Sequence, residues 1–186
     1  MRILITGTTG GIGGAVKRAA LAAGHAVIEV NRGDFDTFSS IEPDPIDGIV
    51  FTTGVCPVKP LTAMTDAEFE ETIRVNCGLF VKLMRRVVSG RLNNPNGMRV
   101  VAISSVSATE GWAGGAAYCA SKGALSAVCR ALDAELKPRE ISVLALEPRY
   151  VRTRMFDDCA GRMGVDPALA QDPDDFAREV LSRLMS

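Results

Sequence analysis

The sequence predicts an α/β fold in which a parallel β-sheet is covered by helices on both faces. Short apolar runs alternate with helix-compatible stretches, the runs are continuously apolar, and a glycine-rich turn follows the first of them. Strands that are buried on both faces are typical of parallel sheets. The chain has 186 residues, a length that fits one domain.

The first half of the chain is predicted to form three strands and two helices. Gly24 ends the first helix. Thr65-Asp66-Ala67-Glu68 is a capping box, in which the Thr hydroxyl and the Glu carboxylate bind free amides at a helix start. The strands are expected at Arg2–Thr6, Ala26–Val30 and Gly48–Thr53, and the helices at Gly11–Ala23 and from Thr65 to about Ser89.

The second half continues the alternation of strands and helices. Met98–Ser104 is rich in Val and Ile and is predicted to be a strand. A helix is expected over Ala116–Leu136, before Pro138, and a further strand over Ile141–Leu146. Asp172-Pro173 is typical of an N-cap followed by Pro at the first helical position, so a last helix should begin there.

Charge and hydropathy exclude several classes of protein. Lys and Arg total 21 and Asp and Glu total 22, so a basic nucleic-acid-binding face is not expected. The longest apolar stretches are well short of the ~20 residues that a membrane span needs. No signal-peptide core follows Arg2. We therefore expect a cytoplasmic protein with neither nucleic-acid nor membrane partners.

No metal site is predicted. His25 is the single histidine, and the cysteines are far apart with no CxxC spacing, so we expect reduced thiols. The cysteines are Cys56, Cys77, Cys119, Cys129 and Cys159.

The glycine-rich turn indicates a dinucleotide-binding loop. It lies between a strand and a helix, where glycine lets a pyrophosphate approach the backbone and the helix start offers free N–H groups. Gly7, Gly11 and Gly13 fit one known spacing, and Gly7, Gly10 and Gly13 fit another; the turn alone does not choose between them. The candidate cofactor residues of the turn are Gly7, Thr9, Gly11, Ile12 and Gly13.

The end of the second strand bears on which cofactor binds. An acid there would hydrogen-bond the ribose hydroxyls of NAD. Asn31 occupies that position, and Arg32 follows it. An Arg can pair with the 2′-phosphate of NADP, so NADP is favoured and NAD is the alternative; a solvated surface Arg is the plainer interpretation.

A second group of residues indicates acid–base chemistry. Tyr118 and Lys122 are four apart on a predicted helix and so project from one face. A nearby ammonium lowers the pKa of a phenol and makes the pair a tuned general acid–base. Ser104 and Ser105 end a strand at the edge that should face the ligand crevice. Asn76 lies within a predicted helix, where Asn is a modest helix former.

Taken together, these residues resemble the short-chain dehydrogenase/reductase family, in its compact single-domain branch with 3-oxoacyl-carrier-protein reductase-like members. The matching positions are the Thr6–Gly13 turn, Asn76, Ser105, the Tyr118–Lys122 pair, and Pro148, Val151 and Thr153 of a Pro-Gly-x-Val-x-Thr segment. The resemblance favours the Gly7, Gly11, Gly13 spacing. It implies a three-layer, Rossmann-type doubly wound parallel sheet in one domain over residues 1–186.

The resemblance also implies roles for these residues. Tyr118 would transfer the proton at the substrate oxygen, Lys122 would lower the pKa of Tyr118 and hold the nicotinamide ribose, and Ser105 would hydrogen-bond the substrate oxygen. Asn76 would anchor a water in a proton relay towards Lys122. Pro148, Val151 and Thr153 would lie at the nicotinamide carboxamide. The implied activity is interconversion of a small carbonyl compound and a secondary alcohol.

The sequence departs from the family pattern in two places. Thr52-Thr53-Gly54-Val55 replaces Asn-Asn-Ala-Gly, with Thr53 and Gly54 as candidate cofactor contacts. Arg149 replaces the Gly of Pro-Gly and forms a basic cluster with Arg152 and Arg154. The cluster fits either an acidic substrate or solvated loop arginines.

The chain is short even for this branch. Only 17 residues, Asn31–Asp47, separate the second strand from the next clear one, so a third family strand should be a stub. The last helix leaves no room for a seventh strand. A homodimer through the helices Thr65–Ser89 and Ala116–Leu136 should survive, but a tetramer through the seventh strand should not. The alternative function is a catalytically weak NADP-binding sensor or partner subunit; an epimerase of the extended branch lacks its substrate domain.

Overall fold

The computed structural model describes residues 1–35, 45–90 and 96–186. These residues form one parallel sheet of five strands. The strands are β1 (Arg2–Thr6), β2 (Ala26–Val30), β3 (Gly48–Phe51), β4 (Met98–Ile103) and β5 (Ile141–Leu146). Their order is β2-β1-β3-β4-β5, and every neighbouring pair is parallel. The order reverses between β1 and β3, so the predicted doubly wound α/β fold is confirmed.

Continuous apolar runs form these strands because both faces of the sheet are buried. Successive side chains of a strand point to opposite faces. Leu4 accordingly packs into one core, and Ile3 and Ile5 pack into the other. All four residues of β3 are buried. The sheet is therefore the middle layer of three.

Helices cover both faces. On the side of Leu4 lie α2 (Asp66–Ile73), α3 (Leu79–Val88) and α4 (Ala116–Leu136). On the other side α1 (Gly11–Ala22) packs against α6 (Pro173–Met185). A further helix, α5 (Arg154–Met163), follows β5, and the sequence analysis did not predict it. No helix of the described ranges is long and apolar enough to cross a bilayer.

The helix expected from Thr65 to about Ser89 is present over residues 66–88, but its middle turn is π-helical. The capping box at its start is present, with Glu68 N donating to Thr65 Oγ1 at 3.2 Å and Thr65 N donating to Glu68 Oε2 at 3.0 Å. A π-helical turn over Arg74–Gly78 then separates α2 from α3. A π-turn widens the helix by one residue, and here the widened turn contains the buried Asn76.

Two strands end earlier than the sequence suggested. β3 ends at Phe51 because the next two amides, of Thr52 and Thr53, turn to the Thr6 hydroxyl at 3.0 and 3.2 Å. β4 ends at Ile103, although Ser104 N still donates to Leu146 O at 2.7 Å.

The expectations about the two edges of the sheet stay predictions. The expected stub of a third strand falls on residues 36–44, outside the described residues. At the opposite edge the described sheet ends with β5. Beyond β5 the described chain adds one isolated bridge, between Val151 and Gln171.

Candidate active site

The glycine-rich turn is tightly packed at the carboxyl end of β1. Gly7 has φ +67°, a conformation that favours glycine, and its N–H donates to Val30 O at 2.8 Å. A Cβ on Gly13 would lie 2.2 Å from Gly7 O and 2.6 Å from Thr52 Oγ1. Glycine at both positions therefore lets α1 begin directly against the strand end.

Gly11 separates the two possible spacings of the turn. A Cβ on Gly11 would lie 2.5 Å from Thr153 Cγ2, whereas a Cβ on Gly10 would have no neighbour closer than 3.3 Å. The close approaches thus occur at Gly7, Gly11 and Gly13. The packing supports the spacing that the family resemblance favoured.

The end of β2 lies beside this turn. Asn31 Oδ1 accepts from Thr9 N at 3.4 Å, and Asn31 N donates to Asp34 Oδ2 at 2.6 Å. Arg32 begins a short 3₁₀ turn and is exposed. Asn31 therefore links the second strand to the glycine turn, and the guanidinium of Arg32 is open to solvent beside it.

Threonines replace the family's asparagines after β3. Thr6 Oγ1 accepts from the Thr53 hydroxyl at 2.9 Å, and Thr52 Oγ1 donates to Thr6 O at 2.5 Å. These bonds hold the start of the β3–α2 loop against the end of β1. The next residue, Gly54, lies where a Cβ would be 3.7 Å from Lys122 Nζ and 3.3 Å from Asn76 Oδ1.

Asn76 is fully buried in the π-turn and makes three hydrogen bonds. Its Oδ1 accepts from Val55 N at 2.8 Å, and its Nδ2 donates to Val55 O at 2.9 Å and to Ser121 Oγ at 2.8 Å. Ser121 Oγ in turn donates to Tyr118 O at 2.7 Å. Asn76 thus connects the β3–α2 loop to the turn of α4 that carries Tyr118. The expected water relay stays a prediction.

Tyr118, Lys122 and Ser105 converge. Lys122 is buried, its Nζ donates to Ile103 O at 2.8 Å, and this nitrogen lies 5.6 Å from the centroid of the Tyr118 ring. Ser105 follows β4, accepts from Ser107 N at 3.1 Å, and lies close enough to the Tyr118 hydroxyl to lower the pKa of that phenol. The strand end and the helix thus bring the two hydroxyls together.

The electrostatics differ from the tuning expected from the sequence. Burial lowers the pKa of Lys122 to about 8. Burial also raises the pKa of Tyr118, and the hydrogen bond from Ser105 opposes this shift only in part. The Lys122 ammonium donates to the Ile103 carbonyl at 2.8 Å, and the pKa of Tyr118 stays above its ordinary value. Lowering of the Tyr118 pKa by Lys122 stays a prediction.

The segment after β5 closes one side of the site. Val106 N donates to Pro148 O at 3.2 Å, and Val151 is buried. Thr153 caps α5, with its hydroxyl accepting from Phe156 N at 3.2 Å, and it also touches Gly11. This segment therefore reaches from the Ser105 loop to the start of α1.

Two of the three loop arginines are paired with acids. Arg149 lies 2.9 Å from Glu110, and Arg154 lies 3.9 Å from Asp158. The pair Arg149–Glu110 joins the loops after β4 and β5. These contacts favour the interpretation of the cluster as loop arginines over recognition of an acidic substrate.

Sequence reasoning missed the group of thiols around Tyr118. Cys159 of α5 donates to Cys56 O at 3.5 Å, and Cys119 donates to Glu110 O at 3.6 Å. All three thiols are close enough to raise the pKa of Tyr118. Their spacing in sequence gives no sign of this, except that Cys119 adjoins Tyr118. The described residues hold no cluster of His, Cys, Asp or Glu that fits a metal ion.

Comparison with known proteins assigns this arrangement to a family. A family model described as short chain dehydrogenase matches residues 38–162, more than half of the chain. The chain belongs to the short chain dehydrogenase family. Membership makes it one of the oxidoreductases that use nicotinamide cofactors, and it confirms the resemblance seen in the sequence.

Individual relatives of the short chain dehydrogenase family agree. The chain is 30% identical to the short-chain reductase protein NovJ of Streptomyces niveus, over 88% of this chain and 74% of that one. It is 28% identical to the 3-oxoacyl-acyl-carrier-protein reductase FabG of Rickettsia felis, over 83% and 74%. A structure of the actinorhodin polyketide ketoreductase with NADPH superposes with a TM-score of 0.85 at 19% identity, covering 98% of this chain and 89% of that one.

Proposed function

We propose that this short chain dehydrogenase interconverts a small-molecule carbonyl compound and a secondary alcohol, with NADP(H) favoured over NAD(H). The observation that carries the proposal is the approach of the Ser105 hydroxyl to Tyr118, close enough to lower the pKa of the phenol, one helical turn from the buried Lys122. Two hydroxyls that meet at one point can bind one substrate oxygen. A buried cation beside them completes an acid–base site.

The residues of the crevice fit a nicotinamide dinucleotide. Gly7, Gly11 and Gly13 let the turn pack against its neighbours where a Cβ would collide, and the amides at the start of α1 suit a pyrophosphate. The group would supply the hydride when bound. The residues proposed to hold it are Gly7, Thr9, Gly11, Ile12, Gly13, Asn31, Arg32, Thr53, Gly54, Tyr118, Lys122, Pro148, Val151 and Thr153.

Arg32 supports the preference for NADP. It follows β2 directly, it is exposed, and the carboxylate that would favour the ribose of NAD is replaced by Asn31. A guanidinium binds a phosphate through two parallel charge-assisted hydrogen bonds.

The protein's own groups carry the proton. In the direction of reduction, Tyr118 donates its hydroxyl proton to the substrate oxygen while Ser105 hydrogen-bonds the same atom. Lys122 then stabilises the phenolate, and Asn76 holds the loop and helix that orient the pair. In the direction of oxidation, the same groups act in reverse.

We propose a cytoplasmic homodimer formed through α2, α3 and α4. Phe69 of α2 is 41% exposed and Val81 of α3 is 36% exposed. Exposed apolar side chains on one helical layer are typical of an interface between subunits.

The test is consumption of NADPH in the presence of a panel of aldehydes and ketones, with Tyr118→Phe as the matched variant. We expect turnover by the wild type and a loss of at least about a hundredfold in Tyr118→Phe, because general acid catalysis contributes roughly 10²–10⁴. Binding of NADPH without turnover of any carbonyl compound would favour the sensor. Equal rates in the two proteins would contradict the role of Tyr118.

A further inference from the structure

A chain of side-chain hydrogen bonds joins α4 to the ends of β4 and β5. Ser126 Oγ lies 2.7 Å from Glu147 Oε1 and 2.8 Å from Ser104 Oγ, and Ser104 Oγ donates to the Lys122 carbonyl at 3.1 Å. Ser104 and Ser126 are almost completely buried. Each end of the chain adjoins the proposed site: Ser104 precedes Ser105, Glu147 precedes Pro148, and the carbonyl belongs to Lys122.

The two serine hydroxyls have two hydrogens for the three contacts of this chain. A hydroxyl has one hydrogen to donate, and a carboxylate only accepts. Ser126 therefore donates to Glu147. Ser126 also donates to Ser104 Oγ, so its single hydrogen is shared between Glu147 and Ser104, and the hydrogen of Ser104 goes to the Lys122 carbonyl. The chain therefore runs from Ser126 in both directions, to the carboxylate of Glu147 and through Ser104 to Lys122.

We infer that Ser126 and Glu147 are positioning residues, which set the distance between Tyr118 on α4 and Ser105 at the end of β4. The inference rests on the proposed function. Backbone bonds already link β4 to the segment after β5, from Ser104 N to Leu146 O at 2.7 Å and from Val106 N to Pro148 O at 3.2 Å. The hydrogen bonds between side chains attach α4 to these two segments. An error of about 1 Å in such a placement can cost roughly a hundredfold in rate.

Asp133 provides a matched control. Its Oδ1 accepts from Val143 N at 2.8 Å, so it also links α4 to β5 with one carboxylate, but it does so away from Tyr118 and Ser105. If both contacts only stabilised the fold, removing either of them should have the same effect on turnover. A positioning residue should alter turnover only at the end that carries the site.

The experiment compares Ser126→Ala, Glu147→Ala, the double variant, Glu147→Gln and Asp133→Ala. Ser126→Ala and Glu147→Ala should each lower kcat about tenfold or more, with a much smaller change in the Kd for NADPH. The double variant should lose no more than the worse single variant, since the two residues act as one unit. Glu147→Gln keeps an acceptor and should restore most of kcat. Asp133→Ala should lower Tm and leave kcat unchanged.

Other outcomes overturn the inference. It is wrong if Ser126→Ala keeps full kcat, if the two losses add, or if Asp133→Ala lowers kcat equally. Amide hydrogen exchange separates this failure from failure of the proposed function. If the wild type turns over no carbonyl compound, Ser126→Ala and Glu147→Ala should still speed exchange in residues 118–126 by about tenfold, and Asp133→Ala should not. Unchanged exchange in that range would overturn the inference by itself.

Discussion

Tyr118 and Lys122 lie one helical turn apart, yet burial acts on them in opposite ways. It raises the pKa of the phenol and lowers the pKa of the amine to about 8. In both cases the neutral form is favoured, because a poorly hydrated environment disfavours charge. The protein therefore keeps a proton on Tyr118, as an acid for carbonyl reduction requires.

The buried amine should give the protein a measurable dependence of stability on pH. Between pH 8 and the ordinary pKa of 10.5, the unfolded chain binds more protons at Lys122 than the folded chain, so this residue's contribution to stability rises with pH. Lys122→Met should be more stable than the wild type below pH 8, and that advantage should shrink by up to roughly 3 kcal/mol towards pH 10.5. Urea unfolding of both proteins across this pH range measures the difference in their free energies of unfolding.

Lys137→Met is the control for this prediction, because Lys137 is exposed. The same dependence on pH in both variants, or a constant difference between Lys122→Met and the wild type, would contradict the burial of a titrating amine.

Arg32 should set the preference between the two cofactors. Arg32→Ala should raise the Kd for NADPH roughly ten- to hundredfold, since a hydrogen bond to a charged group contributes roughly 1.5–3 kcal/mol, and should change the Kd for NADH little. Fluorescence titration with each cofactor measures the two Kd values. Arg178→Ala, an exposed arginine of α6, should change neither. An equal weakening of NADPH and NADH by Arg32→Ala would remove the argument for NADP.

At the scale of elements, some features could be predicted from the sequence and others could not. The limits of β1, β2, β5 and α4 follow from apolar runs and helix stops, and the structure reproduces them. The π-turn at Asn76 could not be predicted, because it depends on hydrogen bonds to the distant residues Val55 and Ser121. The chain from Ser104 to Glu147 likewise joins three elements that only the fold brings together. α5 does carry a helical pattern, with Thr153 as N-cap and apolar Phe156, Cys159, Ala160 and Met163 on one face, and the sequence analysis did not use it.

The start of α1 gives a prediction about glycine. Ala is a better helix former than Gly by about 1 kcal/mol. Gly13→Ala should nevertheless destabilise the protein and abolish NADPH binding, since its Cβ would lie 2.2 Å from Gly7 O. Gly161→Ala in α5 meets nothing within 4 Å and should stabilise the protein by about 0.5–1 kcal/mol. Thermal unfolding and a cofactor titration measure both variants, and stabilisation by Gly13→Ala would refute the close approach.

At the scale of the whole molecule, the described sheet carries the candidate site on its central strands. β1, β3 and β4 lie in the middle, and the glycine turn and Ser105 follow two of them.

We expect a dimer in solution, measured by light scattering. Val81→Glu, on the helical layer, should shift it towards monomer. Leu169→Glu is the control, because Leu169 is more exposed, at 67%, but lies in the segment between α5 and α6. A tetramer, or a dimer that Leu169→Glu dissociates and Val81→Glu does not, would contradict the proposed interface.

The central claim is hydride transfer to a carbonyl carbon at the Tyr118 site, and isotope transfer tests it most directly. The protein is incubated with NADPH deuterated at the transferable position and a carbonyl compound that it turns over, and the alcohol is analysed by mass spectrometry. The account predicts an alcohol with one deuterium on the carbinol carbon, formed by the wild type and at least about a hundredfold more slowly by Tyr118→Phe. An alcohol without deuterium, or equal rates in the two proteins, would contradict it.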